Sequence, residues 1–302
     1  QQNINNFKDY WVPGMENVQQ LTYYPTDGNR WNNPYFIANE YLTGYRRTQS
    51  AYKLQADWEF YKDFTVMIRY SRNDFNQRIV QRAAFSEKDN PNGLYMLKYD
   101  HNREDNWEGM FGYTNNNIID KLSMTANLGG AIRYNYYDYI SNETGKLIEP
   151  NLYNISNAAP GTLIYSAGWG EKQVNSLYGI ISLGYANAVY LDITARNDWS
   201  STLPPNNWSY FYPSASLSML LNQMTSLPAW ISLAKLRAGY AQVGKDTDPY
   251  SLSKSISTQQ DWGSAPRKYI NGSFPNADLK PEIATSIEFG TDLSFIDNKI
   301  RF

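Results

Sequence analysis

A histidine-based nucleophilic triad in this chain would have to run through a single residue. His101 is the only imidazole in 302 residues. A Ser-His-Asp arrangement would need it as base, and no Gly-x-Ser-x-Gly elbow accompanies it to present a serine. There is no cysteine, which removes thiolate nucleophiles, disulfides and thiolate metal sites together. Two oxygen-rich strings, Asp246-Thr247-Asp248 and Asp89 to Gly93, have the look of calcium loops without completing the EF-hand spacing. Turn-forming Asp and Asn account for both. Carboxylates are plentiful, but no spacing singles out a pair for glycoside hydrolysis. The expectation is no catalytic residue, no metal and no cofactor, with His101 a solvated histidine at the end of a loop.

What remains are residues that bind. Trp169, Trp199, Trp208, Tyr210 and Trp262 lie at or beyond the ends of alternating segments. There a flat ring can stack on a sugar or hold the chain at a membrane surface. Arg69, Arg133, Asp192, Arg196, Asp198 and Arg237 fall on the polar positions of such segments and are read as an ion-pair network lining a lumen.

The segments that must position these residues follow one pattern. Leu177, Gly179, Ile181, Leu183 and Tyr185 alternate with Tyr178, Ile180, Ser182 and Gly184. After Ala186-Asn187-Ala188, Val189, Leu191, Ile193 and Ala195 alternate with Tyr190, Asp192, Thr194, Arg196 and Asp198. Period two means strand, because successive side chains leave opposite faces of a pleated backbone. The hairpin has one dry face and one wet face. Similar strands are expected near 51–61, 64–71, 107–113, 122–136, 211–221, 236–240 and 287–295, with a last one cut short at Phe302. Long loops are expected at 75–104, 137–176 and 243–284, a short helix near Tyr35 to Tyr41, and a helical turn between Asn222 and Ser232. Residues 1–48 read as a loop region at a barrel surface and 49–302 as strands with long external loops.

Composition narrows the setting. Aromatic residues make up 16%, with 26 Tyr and 9 Trp, yet mean hydropathy is −0.60. Membrane barrels use such rings as belts at both lipid interfaces. A net charge of −2 and no polybasic run argue against nucleic acid as a partner. No apolar run is long enough for a membrane helix, so any crossing is by strands. The opening QQNINNFKDYW has no basic stretch leading into an apolar one, so no signal peptide is expected in this numbering.

The fold expected is all-β, an antiparallel up-and-down transmembrane β-barrel. Short turns alternate with long loops, and no charge falls on the outward positions of the strands, where each would cost about 2 to 4 kcal/mol at mid-membrane. A soluble β-sandwich is the competing architecture. An open sheet of about ten strands would leave unpaired backbone groups in hydrocarbon. The strands therefore either close alone as a small passive channel or form an arc of a larger barrel, and the stop at Phe302 favours the arc.

Leu191 to Leu203 (LDITARNDWSSTL), Leu236 to Tyr250 (LRAGYAQVGKDTDPY) and Asn276 to Phe295 (NADLKPEIATSIEFGTDLSF) resemble barrel strands of the SusC/RagA class of TonB-dependent outer-membrane transporters of Bacteroidetes. Asn33-Pro34-Tyr35 and SYFYPSASLSM from Ser209 to Met219 are similar too. The resemblance implies a plugged 22-stranded barrel, of which this is a middle portion without plug, TonB-contacting segment or closing strands. It further implies a SusD-like surface lipoprotein as lid, energy through TonB, an oligosaccharide or peptide substrate, and outer-membrane lipid around the wall. A dimer of transporter and lipoprotein pairs is an arrangement it allows. The lumen network would then face the plug. The rival role is a SusC-like barrel acting as a structural component of a larger outer-membrane complex.

Overall fold

The computed structural model describes residues 4–22, 31–254, 256–262, 265–270, 272 and 274–302. Strands dominate: β1 (Tyr41–Tyr61), β2 (Phe64–Phe85), β3 (Asn92–Ile119), β4 (Leu122–Glu143), β5 (Ile164–Tyr185), β6 (Val189–Ser200), β7 (Ser209–Leu220), β8 (Ile231–Lys245), β9 (Ile256–Trp262), β10 (Ala265–Ile270), β11 (Glu282–Phe295) and β12 (Ile300–Arg301). The helices are α1 (Pro34–Glu40) and the single turn α2 (Leu221–Met224). A ten-stranded sheet runs in the order β1 to β8, β11, β12, and β9 pairs with β10 separately. Neighbours in sequence are neighbours in the sheet, which is the up-and-down order.

Tight turns carry one end of the hairpins. Asp63 (φ 68) and Lys121 (φ 63) supply the left-handed residue between β1 and β2 and between β3 and β4. Ala186 (φ 52) and Asn187 (φ 55) do so together between β5 and β6. Two successive left-handed residues give a turn whose twist matches that of the flanking strands.

Two expected loops turn out to be strand over half of their length or more. β2 and β3 fill most of 75–104, leaving only 86–91 as connection, and β4 and β5 fill 137–143 and 164–176. The first strand likewise begins at Tyr41, inside the stretch expected to be irregular. The physical reason lies in length. The 22 residues of β2 reach about 70 Å at roughly 3.3 Å per residue, far beyond a hydrocarbon layer of about 30 Å. Past that layer both faces are wet, so the hydrophobic alternation vanishes while backbone pairing continues. The loop at 243–284 shortens less and contains the β9/β10 hairpin. Both helical expectations match α1 and α2.

The chain divides into two compact units. One comprises Gln1–Ala51, Asn73–Arg103 and Tyr136–Gly170; the other comprises Tyr52–Arg72, Glu104–Asn135 and Glu171–Phe302. In the second unit the usual partition is inverted. Ile181 and Ile193, directly paired across β5 and β6, are each 42% exposed, and Phe289 is 82% exposed. Asp198, Ser200 and Ser294 are buried. On the apolar face Leu183, Leu191 and Leu217 line up across three strands. On the polar face Ser182 Oγ donates to Asp192 at 2.6 Å, and Thr194 bonds Ser214 at 2.6 Å. An exposed apolar face of this extent requires a non-aqueous neighbour.

The first unit holds a small core of its own. Asn33 caps α1 by accepting from the Tyr35 N–H at 2.9 Å, with Pro34 at the first helical position, both standard helix-start chemistry. Capping aims Phe36 inward, where it is fully buried against Trp11 at 5.3 Å. Buried Gln20 is the hub of the polar contacts. Its amide donates to Asn32 at 2.8 Å and to the Ser86 carbonyl, and its carbonyl accepts from the Asn33 N–H at 2.9 Å. Asn32 then donates to buried Glu87 at 2.6 Å. Asn157 braces residues 144–163 from within, donating to the carbonyls of Glu149 and Leu152 at 2.8 and 2.7 Å.

Glu87 makes this core sensitive to acid. Burial pushes its carboxyl up, but donors from Asn32 and Asn90 and the N–H groups of Asn90 and Asp89 outweigh it and hold it below the usual carboxylate value. A carboxyl lowered on folding stabilises above its unfolded value, near about 4.3, and that stability fades as pH falls through the folded value. The protection of the Asp89 and Asn90 amides against hydrogen exchange, corrected for intrinsic rate, is therefore expected to hold at pH 6 and fall below about pH 4. In Glu87→Gln it should be weak at both.

Candidate functional site

In the second unit the polar face of the sheet gathers around a concavity of about 780 Å³ whose wall includes Arg69, Glu108, Arg133, Tyr178, Arg196 and Tyr212. Register explains the gathering. Arg196 on β6 lies directly opposite Tyr178 on β5 and Tyr212 on β7, so three polar side chains stand abreast on one face.

They are joined in series. Arg69 Nη2 pairs with Glu108 Oε2 at 3.0 Å, and the Tyr178 hydroxyl donates to Glu108 Oε1. The Arg196 guanidinium lies 6.0 Å over the Tyr178 ring, donates to Ser176 Oγ at 2.9 Å and pairs through Nε with Asp198 Oδ1 at 2.8 Å. Tyr212 donates to Asp198 Oδ2 at 2.6 Å, and Tyr210 stacks on Tyr212 at 6.0 Å. Buried Asp198 thus has its charge met from two sides, as a desolvated carboxylate requires. Arg133 lines the same concavity and has no hydrogen-bond or ion-pair partner among the described residues.

Gly129 gives Tyr178 its room. A Cβ at Gly129 would collide with the Tyr178 ring, so the ring lies flat on the bare backbone and its hydroxyl reaches Glu108. In the first unit Tyr137 covers Gly170 in the same manner. Aromatic cover of strand glycines also shields backbone that would otherwise be loosely packed.

Arg69, Arg133, Arg196 and Asp198 thus come together, while two other polar positions lie elsewhere. Asp192 accepts from Ser182 and, at 3.5 Å, from Ser216; Arg237 pairs with Asp292 at 3.0 Å. The sequence reading missed Glu108, Tyr178 and Tyr212 as members. A register count from the Ala186-Asn187-Ala188 turn would have placed Tyr178 opposite Arg196, but Glu108 belongs to a distant strand. The oxygen-rich Asp246 is engaged by Lys172 and by Ser200 Oγ at 2.5 Å, a contact that fastens the start of the segment after β8. His101 corrects an expectation: it sits within β3, between Asp138 at 3.0 Å and Asp74 at 3.1 Å.

The five aromatics occupy different settings. Trp208 is 51% exposed, and its carbonyl accepts from the Ser200 N–H at 2.9 Å. Trp199 is half-buried near the end of β6. Tyr210 is buried, its ring lying where a Gly244 Cβ would be. Trp169 is exposed on the face of β5 opposite Gly168 and Gly170, the positions covered by Tyr139 and Tyr137. The side chain of Trp262, the last residue of β9, lies outside the described residues.

Residues 2–302 match the family model described as TonB dependent receptor-like, beta-barrel. The chain is 28% identical over 152 residues to TonB-dependent receptor P3 of Formosa agariphila, covering 46% of this chain and 14% of that protein. It is 26% identical over 247 residues to TonB-dependent receptor P26 of the same organism, covering 74% and 23%. The solved RagAB peptide transporter superposes with a TM-score of 0.74 at 18% identity, over 93% of this chain and 32% of that one. The ferric-catecholate import receptor Fiu of E. coli K12 superposes with a TM-score of 0.53 at 12% identity, over 85% and 40%. The chain therefore spans under a quarter of these curated relatives and about a third of the RagAB chain.

Asp198 is the point at which the network is most vulnerable. In the full-length protein in lipid vesicles, Asp198→Ala is expected to cost about 2 to 3 kcal/mol, because it leaves Arg196 without its partner. Tyr212→Phe should cost about 1 kcal/mol. The urea midpoint measures both, and equal midpoints for the two variants would refute the ordering.

Proposed function

The chain belongs to the TonB-dependent receptor-like β-barrel family, an outer-membrane family of receptors, and on that premise we propose that it is wall and lumen lining of an importer of oligosaccharides or peptides. The importer works with a SusD-like surface lipoprotein and draws its energy through TonB, by segments outside these residues. The observation that carries this reading is the inverted partition of the sheet. Large apolar side chains stand outward to lipid, and a chain of paired charges stands inward where a plug and a passing solute need a wet wall.

The residues then divide the work. Arg69, Glu108, Tyr178, Arg196, Asp198 and Tyr212 hold one another and keep the wall fixed while a plug moves against it. Arg133, which has charge to spare, meets whatever fills the lumen. Trp208, half exposed beside the 201–208 connection, is the aromatic best placed to stack on a solute, and Trp199 lies near it in sequence; Tyr210 serves packing. Capture between barrel and lid is followed by TonB-driven plug movement and release to the periplasm. No bond is made or broken by these side chains. The superposed RagAB is a peptide transporter, which supports the peptide class, while the resemblance of the sequence strings to the SusC/RagA class leaves oligosaccharide and peptide both open.

Cells lacking the full-length protein are expected to lose uptake of fluorescently labelled oligosaccharides or peptides, with recovery on re-expression. Trp208→Ala in the full-length protein should raise the half-saturating concentration about 2- to 10-fold, the size of one lost stacking contact. Undiminished uptake of both substrate classes in the deletion would favour the scaffold role instead.

A further inference from the structure

The first unit carries a groove of about 420 Å³ lined by Arg46, Arg78, Tyr99, His101, Asp138 and Ile140. Its charges are unequally satisfied. His101 bonds Asp74 and Asp138 through its two ring nitrogens, and Asp100 pairs with Lys98 at 2.7 Å. Arg46 and Arg78 are exposed and have no hydrogen-bond or ion-pair partner among the described residues. Asp138 and Asp100 are thus engaged by His101 and Lys98, which leaves the two guanidiniums as the groove's charges without partners among the described residues, beside exposed Tyr99 and Ile140.

The face on which the groove lies gives it meaning. The other face of the same strands carries Arg47 bonded to Gln77 at 2.7 Å, Gln49 to Asn73 at 2.8 Å, and Lys98 over the Tyr139 ring at 5.2 Å. Alternate residues of a strand leave the same side. On β2, Arg78 therefore follows Phe64, Val66, Ile68 and Tyr70, and on β3, His101 follows Phe111 and Trp107. These are the outward, lipid-facing residues. Where Tyr70 packs on Trp107 at 4.4 Å, the next outward pair is already ionic, Arg72 with Asp105 at 2.6 Å. Outward charge begins there, directly past an aromatic pair of the kind that marks a membrane interface.

We propose that this outward groove binds the phosphorylated headgroup of an outer-leaflet lipid, with Arg46 and Arg78 as the phosphate ligands and Tyr99 and Ile140 against its apolar part. Guanidinium forks suit phosphate oxygens, and basic pockets on membrane proteins take lipid headgroups for the same reason. The apolar margin of exposed Tyr99 and Ile140 beside the two guanidiniums selects a lipid over free phosphate as the source. The proposal needs the outer-membrane location and is independent of what is imported.

Full-length protein, purified in mild detergent and stripped of lipid, is titrated with bisphosphorylated lipid A and with the same lipid freed of its phosphates, and bound lipid is counted by native mass spectrometry. Arg46→Gln/Arg78→Gln is expected to weaken binding of the phosphorylated lipid at least tenfold, whereas Arg46→Lys/Arg78→Lys loses at most a few fold. Arg47→Gln, on the opposite face, should behave as wild type. The dephosphorylated lipid should bind wild type no better than it binds the Gln pair. If the Gln pair fails to fold, each single Gln variant is expected to show about a threefold loss. Unchanged binding in the Gln variants, or equal binding of the two lipids by wild type, overturns the proposal; loss of uptake alone bears only on the import reading.

Discussion

A backbone amide inside hydrocarbon has only another backbone group to bond. Everything else in this structure follows from meeting that requirement between strands. It demands long uninterrupted ladders, and β1 to β5 each run for 21 residues or more. It favours up-and-down order, since tight turns bring each strand back beside its predecessor without buried crossings. It also explains why β9 and β10 can stand apart as their own hairpin: they lie in a connection, where water meets their needs.

Once the backbone is satisfied by its neighbours, side chains are free to sort by solvent alone. The result reverses a soluble core. Ile181, Ile193 and Phe289 face outward, while Asp198 and Ser200 are buried. Burying a carboxylate is tolerable only because Arg196 and Tyr212 reach it, and they reach it only because the register puts both near it. The polar chain of the concavity is thus a consequence of strand alignment as much as of residue type. Its paired groups hold one another in a single arrangement across β5, β6 and β7.

Much of this could be read from the residues, for reasons that also set the boundary. The hairpin of β5 and β6 was legible because one face meets hydrocarbon and the other water, so Leu183, Leu191 and Ile193 separate cleanly from Ser182, Asp192 and Thr194. The continuation of β2 beyond Ser71 was not legible, because Arg72, Asp74 and Arg78 on one face and Asn73 and Gln77 on the other carry no contrast. His101 was misplaced for that reason. Arg196 and Asp198 could be recognised as polar wall, whereas their link to Glu108 through Tyr178 depends on strands far apart in sequence. The cover of Gly129 by Tyr178 has no signature in either residue alone.

The paired left-handed residues Ala186 and Asn187 also bear on how such a chain can change over generations. Across their turn Tyr178 meets Arg196 and Ile181 meets Ile193. Adding one residue there would exchange the two faces of a strand at a stroke, sending leucines to water and arginine to lipid. The stretch 144–163, braced by Asn157 from within, sets no such parity and can lengthen or shorten without reversing anything. Inherited insertions and deletions should therefore accumulate in the 144–163 stretch and be purged at the Ala186-Asn187 turn, so that relatives differ in the length of the one and agree in the length of the other.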